Sequence, residues 1–157
     1  MPISRRLLTL AVGGRLVGVT NATGYIGQIA AQNGLPGISN TPADPPTKGN
    51  GDPRVRPYFI LEPQAGTSTS EADLADTYVD LDWPFNVRAV AGDVHDLLAL
   101  IDRIDALLWR WSPGEISGAQ TGRITRQPGY DPLVLTDAQQ TPPRHFTPLQ
   151  YRLTAHT

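Results

Sequence analysis

Three carboxylates, Asp76, Asp80 and Asp82, fall at even spacing in a segment that alternates apolar and polar residues. On a strand they share one face, with Asp80 and Asp82 about 7 Å apart. Such a stripe can hold a cation, pair with arginines of a neighbouring subunit, or lie on a solvated outer face. The solvated face is the plainest reading. The subunit reading brings Arg123, Arg126 or Arg144 of another copy against the stripe, where paired charges would fix register. The three histidines, His95, His145 and His156, are not spaced with one another or with a carboxylate as metal ligands on one helix are. Cysteine is absent, which excludes a thiol nucleophile, disulfides and cysteine-based zinc or iron–sulfur sites. Gly66-Thr67-Ser68-Thr69 lacks the spacing of a nucleophile elbow, and no phosphate loop occurs. No catalytic, cofactor-binding or metal residue is therefore assigned, and catalysis is not expected.

One segment carries a possible cofactor signature. Val19-Thr20-Asn21-Ala22-Thr23-Gly24-Tyr25-Ile26-Gly27 resembles the glycine-rich turn of short-chain dehydrogenases/reductases, where backbone approaches a pyrophosphate at a helix N-terminus. Asn21 replaces the glycine that makes the tight turn. Gly34, Pro36 and Gly37 would stop the following helix within two turns. No acidic residue closes a second strand about 20 residues on, and Lys48, the only lysine, has no tyrosine four residues before it. The segment reads as a turn and a short strand.

Composition narrows the class further. The 157 residues fit one domain, taken as 1–157. Thirteen basic and fifteen acidic residues give a net charge of −2, without the basic stripe of a nucleic-acid binder. No apolar run approaches the ~20 residues that span a bilayer. Ser4-Arg5-Arg6-Leu7-Leu8 has the look of a twin-arginine export signal. Gly13, Gly14 and Arg15 break the apolar stretch behind it and no small-x-small cleavage site follows, so export is not expected.

The elements that must position these residues read as α+β. Ser4 to about Val19 is expected to be helical, with Ser4 as N-cap, Ile3 and Leu8 as a hydrophobic staple, and Leu7, Leu10, Ala11, Gly14 and Val17 as its apolar stripe. Thr23 to Ile29 suits a short strand, and Gln32 to Asp52 a long Pro/Gly-rich loop. Arg54 to Pro63 reads as a strand with Val55, Phe59 and Leu61 on one face, Tyr58, Ile60 and Glu62 on the other, and an edge or bulge at Pro57. Gly66 to Asp73 reads as a polar turn. Ala75 to Val90 alternates strictly, with Thr77, Val79, Leu81, Trp83, Phe85, Val87 and Ala89 on the face expected to be buried. The two strands form a long antiparallel hairpin. Asp93 to Trp111 is an amphipathic helix capped by Asp93, with Val94, Leu97, Leu98, Ile101, Ile104, Leu108 and Trp111 on its apolar face. Short closing strands are expected at Gln120–Arg126, Leu133–Leu135 and His145–Thr154. Tyr58, Tyr78 and Trp109 are candidate interface anchors, with Trp109 equally placed to flank the core.

The joint order of three stretches resembles the tail terminator family of siphophages, actinobacteriophage versions in particular. They are Asp52-Pro53-Arg54-Val55-Arg56-Pro57-Tyr58-Phe59, then Leu74 to Trp83 running on to Ala106-Leu107-Leu108-Trp109, and finally Pro128-Gly129-Tyr130-Asp131-Pro132 with Arg144 to Thr154. The resemblance implies a hexameric ring that caps the tail tube, stops its polymerisation and joins the tail to the head connector. It also implies a place in the virion at the head–tail junction after assembly in the host cytoplasm. The partners would be other copies of the chain, the tube protein and the connector, with DNA passing through the lumen and no sequence-specific contact. It defines no catalytic residues, no metal and no cofactor. Another head–tail completion or tube-related subunit is the alternative, and a truncated reductase-like nucleotide-binding domain the remote one.

Overall fold

The computed structural model describes residues 3–27, 47–70, 79–139 and 142–157. Ser4 starts the first helix, α1 (Arg5–Leu16), its hydroxyl accepting from the Leu7 backbone N–H at 3.3 Å. The buried face of α1 is Leu8, Val12 and Leu16, not the expected stripe, of which Leu10, Gly14 and Val17 are exposed; Ile3 joins the same core as the buried face. Strands β1 (Thr23–Ile26), β2 (Thr47–Gly49), β3 (Asp52–Val55), β4 (Tyr58–Pro63), β5 (Thr67–Ser70) and β6 (Val79–Ala91) follow. Helix α2 (Val94–Leu108) then precedes β7 (Glu115–Ile116), β8 (Ala119–Thr121), β9 (Thr125–Arg126), β10 (Leu135–Asp137) and β11 (Arg144–His156).

The fold is α+β, a mostly antiparallel sheet with two helices. Strands β6 and β11 are its spine, paired from His145 opposite Ala91 to His156 opposite Asp80. Along one side of β6 lie β4 and β5; along the far side of β11 lie β10, β9 and β8, with β7 beyond β8. The expected hairpin is present as β4 against β6. Thr67–Ser70 is not turn but strand, pairing with β6 from Asp82 to Val79. Residues 71–78 of the expected turn and strand lie outside the described residues, as do 28–46 of the expected strand end and loop; Thr47–Gly49 pairs with β3. One parallel pair, β1 against β4, interrupts the antiparallel pattern.

Period two decides which side chains meet the helices. Leu81, Trp83, Phe85, Val87 and Ala89 point inward and are buried, opposite Ala155, Leu153, Tyr151, Leu149 and Thr147 of β11. Trp83 stacks on Phe85 at 4.9 Å, and Phe85 on Tyr151 at 5.6 Å. The Trp83 indole donates to the Gln64 carbonyl at 2.7 Å, so its burial leaves no orphan N–H. Burying each such side chain contributes about 1.5–3 kcal/mol.

Three expectations about faces need correction. Pro57 is neither in a strand nor at an edge: the chain breaks at Arg56–Pro57, and β4 runs inside the sheet between β1 and β6. The break turns Val55 to the outer face, where it clusters with Tyr58, Ile60 and Val90. Helix α2 ends at Leu108 and is rotated from the expected stripe. Leu97, Leu100, Ile104 and Leu108 are buried, while Val94 and Leu98 are 38% and 46% exposed. Beyond Leu108 the backbone exchanges hydrogen bonds with Ile124, Arg110 N–H to its carbonyl at 2.9 Å and its N–H to Trp111 at 2.8 Å. That pairing replaces the last helical turn expected through Trp111. Asp93 caps the helix as expected, accepting from His95 N–H at 2.8 Å and Asp96 N–H at 3.3 Å.

Candidate assembly interface

The outer face of the sheet, away from both helices, holds four of the residues proposed to act, Tyr58, Asp80, Asp82 and Arg144. It is graded along the strands. At one end Tyr58, Val90, Phe146 and Leu135 stand opposite one another across β4, β6, β11 and β10. Farther along, Glu62 and Arg88 form an ion pair at 3.1 Å, and Asn86 faces Gln150. At the other end Asp82 pairs with Arg152, and Asp80 lies opposite His156. Cross-strand partners of this kind are close enough to neutralise each other within one chain.

Tyr58 is buried, not an exposed anchor. Its hydroxyl accepts from Arg144 Nη1 at 3.1 Å, and Arg144 is itself buried, donating also to the Pro142 carbonyl at 3.2 and 3.3 Å. Burial pushes the Tyr58 phenol above its ordinary range, against a smaller opposing pull from Arg144. Two proposed interface residues thus meet inside one chain. Tyr25 packs edge-on to Tyr58 at 6.0 Å and completes this small second core.

The proposed acidic stripe is also occupied from within. Arg152 Nε donates to Asp82 Oδ1 at 2.6 Å, and this hydrogen bond holds the Asp82 carboxyl below the usual range. Arg126 engages Asp105 through Nε at 3.2 Å and Nη2 at 2.5 Å, and the Tyr151 hydroxyl donates to the same carboxylate at 3.1 Å. That cluster ties α2 to β11 and β9. Asp80 and Arg123 are exposed and make no ion pair among the described residues. Asp76 and Tyr78 lie outside the described residues. Arg152 was missed by reading β6 alone; it could have been found by setting the alternation of β11 against that of β6.

The glycine-rich segment is a turn and an edge strand. Gly24 sits on the Phe59 ring, where an added Cβ would come within 2.5 Å of Cζ. Gly27 donates its N–H to the Leu61 carbonyl at 2.9 Å. Packing against β4 accounts for both glycines. His145 Nδ1 and Thr136 Oγ1 lie 2.9 Å apart as an exposed cross-strand pair. Among the described residues no group of three His, Cys, Asp or Glu side chains could hold a metal ion, and no helix is long and apolar enough to cross a membrane.

Exposed apolar side chains stand on the two helices and around β10. Leu10 and Val17 of the α1 region and Val94 and Leu98 of α2 lie on the helix layer. Leu133, Val134 and Leu135 lead into β10, with Leu135 opposite Phe146 on the outer face. Trp109 is 44% exposed, with the Arg110 guanidinium over its ring at 5.7 Å. No family model and no curated protein matches the chain. The surface itself therefore carries the functional reading. The sequence signal for the second patch was Leu-Val-Leu standing in an otherwise polar stretch, three apolar residues in a row where a solvated loop needs none.

Proposed function

We propose that the chain is a structural subunit that joins copies of itself head-to-tail in a closed ring, in the manner of siphophage tail terminators. The observation that carries this is the pair of unlike apolar surfaces, Leu10, Val17 and Leu98 on the helix layer and Leu133 to Leu135 beside β11. A ring contact is heterologous: one patch must meet a different patch, and the rotation between subunits closes the ring. Exposed Leu and Val side chains on such surfaces suit burial against a partner. The charges between them are mostly settled inside the chain, which leaves apolar contact as the main drive for association.

On this reading the ring is hexameric and caps the tail tube at the head–tail junction of the virion. Its further partners are the tube protein and the head connector, and its work is assembly without catalysis. Light scattering behind size exclusion, with electron microscopy of the same fractions, tests the ring directly. A closed ring of about six copies is expected, and a strict monomer at every concentration sinks the proposal. Deleting the gene from its phage should give overlong tails that do not join heads. Tails of normal length would assign the chain to another step of completion.

A further inference from the structure

A polar cleft of about 520 Å³ lies where three parts of the chain converge, bounded by Asn21, Lys48, Arg56, Asp96 and Arg103. The turn between α1 and β1 contributes Asn21, the β2–β3 hairpin contributes Lys48, and the break before β4 contributes Arg56. The Thr23 N–H holds that turn to the Pro57 carbonyl at 3.2 Å. Asp96, Ala99 and Arg103 come from one face of α2, at spacings of three and four residues.

The charges in this cleft do not balance. Lys48 and Asp96 form an ion pair, and Asp96 is the single carboxylate among the described residues that line the cleft. Arg56 and Arg103 remain, and neither makes an ion pair among the described residues. Among the described residues Arg103 Nε is buried with no acceptor. A buried N–H without a partner costs free energy, and two guanidinium groups in one cleft repel. A planar guanidinium fork matches an oxyanion better than any other group. Three cations against one carboxylate leave two positive charges, which suits a dianionic tetrahedral group better than a lone carboxylate.

We infer that this cleft binds a phosphate-type oxyanion between Arg56 and Arg103, with Asn21 and Lys48 at its rim. The site uses none of the surfaces assigned to ring contacts, so it stands or falls separately from them.

The test follows the guanidinium Nε–Hε signals of Arg56 and Arg103 by nuclear magnetic resonance as sodium phosphate is added to the full chain. Sodium chloride at equal ionic strength serves as the control. Saturable shifts of both signals with phosphate are expected. Arg56→Gln, an exposed change that leaves the core untouched, and Arg103→Gln should each weaken binding at least about tenfold. Equal shifts with chloride, or unchanged phosphate affinity in Arg56→Gln, would overturn the assignment. A short single-stranded oligonucleotide that displaces phosphate from the same signals places the bound group in a nucleic-acid backbone. Failure to displace keeps it as free phosphate; either result is compatible with an oxyanion site.

Discussion

Arg144 Nη1 donates to the Tyr58 hydroxyl at 3.1 Å across the outer face of the sheet, joining the start of β11 to the start of β4. Val90 stands in register with Tyr58 on one side and Phe146 on the other, so an apolar residue of β6 is flanked by both strands. The guanidinium is buried and leans on neutral acceptors, the Tyr58 hydroxyl and the Pro142 carbonyl. This end of the outer face is therefore a second core with one charged group sealed into it.

Removing either partner should be felt by the other. Tyr58→Phe leaves part of a buried guanidinium unpaired and should cost about 1–3 kcal/mol. Arg144→Ala strands the phenol and opens space, at a similar or larger cost. Because the two touch, their double-mutant cycle in urea should show coupling of about 0.5–3 kcal/mol. Additive losses would mean that the bond contributes nothing to folding.

Tyrosine titration gives a second check. Burial raises both Tyr58 and Tyr151, and the Asp105 carboxylate raises Tyr151 further. A folded-state value above the unfolded one means stability that is complete below the ordinary value of 10.0 and is lost as pH rises past it. Absorbance near the phenolate band should show a cooperative step for Tyr58 and Tyr151 that coincides with alkaline unfolding. Full ionisation before any loss of circular dichroism would contradict the burial of both rings.

The acid limb has the opposite sign. Hydrogen bonds from the Arg54 side chain, then its backbone N–H, pull Asp52 down from 3.8 to about 2. Asp82 is lowered by Arg152, and Asp93 by the N–H groups of Asp96 and His95. Lowered values mean stability that is present above the ordinary carboxylate range and lost as pH falls toward about 2. Urea midpoints should hold near neutrality and decline below about pH 4. Asp93→Asn keeps the cap but not the titration, so its decline should be shallower. A flat midpoint from pH 5 to 2 would remove these contacts as acid-sensitive ones.

How much could be read in advance depended on whether one face of an element was unambiguous. In β6 the run Leu81, Trp83, Phe85, Val87, Ala89 alternates with polar residues, so its inner face was legible. In α2 apolar residues cover more than half the circumference. Spacing alone could not choose between Leu98, which is exposed, and Leu100, which is buried. Tyr58 was placed among exposed residues because it shares a face with Glu62, yet Ile60 and Val90 on that same face were the readable sign of a second core. The Asp82–Arg152 pairing, which was not foreseen, needed the β6–β11 register, which no single strand contains.

Two glycines should respond in opposite directions. Gly66 has φ +69°, and an added Cβ would lie 2.5 Å from the Asp82 carbonyl oxygen and 3.1 Å from Trp83 Cα. Backbone cannot yield there, so Gly66→Ala should cost at least about 1–3 kcal/mol. Gly14 lies within α1 with nothing inside 4 Å of the added carbon. Gly14→Ala should stabilise by about 0.5–1 kcal/mol, since alanine loses less freedom in a helix. Equal effects at the two positions would mean that the turn at Gly66 relaxes freely.

The two apolar surfaces make the last prediction. Leu98→Glu and Val134→Glu change side chains that are 46% and 41% exposed, so each subunit should fold as before. A charge at the centre of an apolar contact costs more than about 1 kcal/mol per interface, and a ring repeats that cost at every joint. Both variants should therefore run as monomers by light scattering with thermal midpoints close to that of the parent monomer. Leu97→Glu, one residue earlier and fully buried, should instead unfold the chain. Mixing the two surface variants sharpens the test, because a head-to-tail contact needs one intact patch from each side. Equal amounts of Leu98→Glu and Val134→Glu can form a single sound joint per pair and no closed ring. Dimers in that mixture would support unlike faces, whereas rings of unchanged mass in either variant alone would place the assembly contact elsewhere.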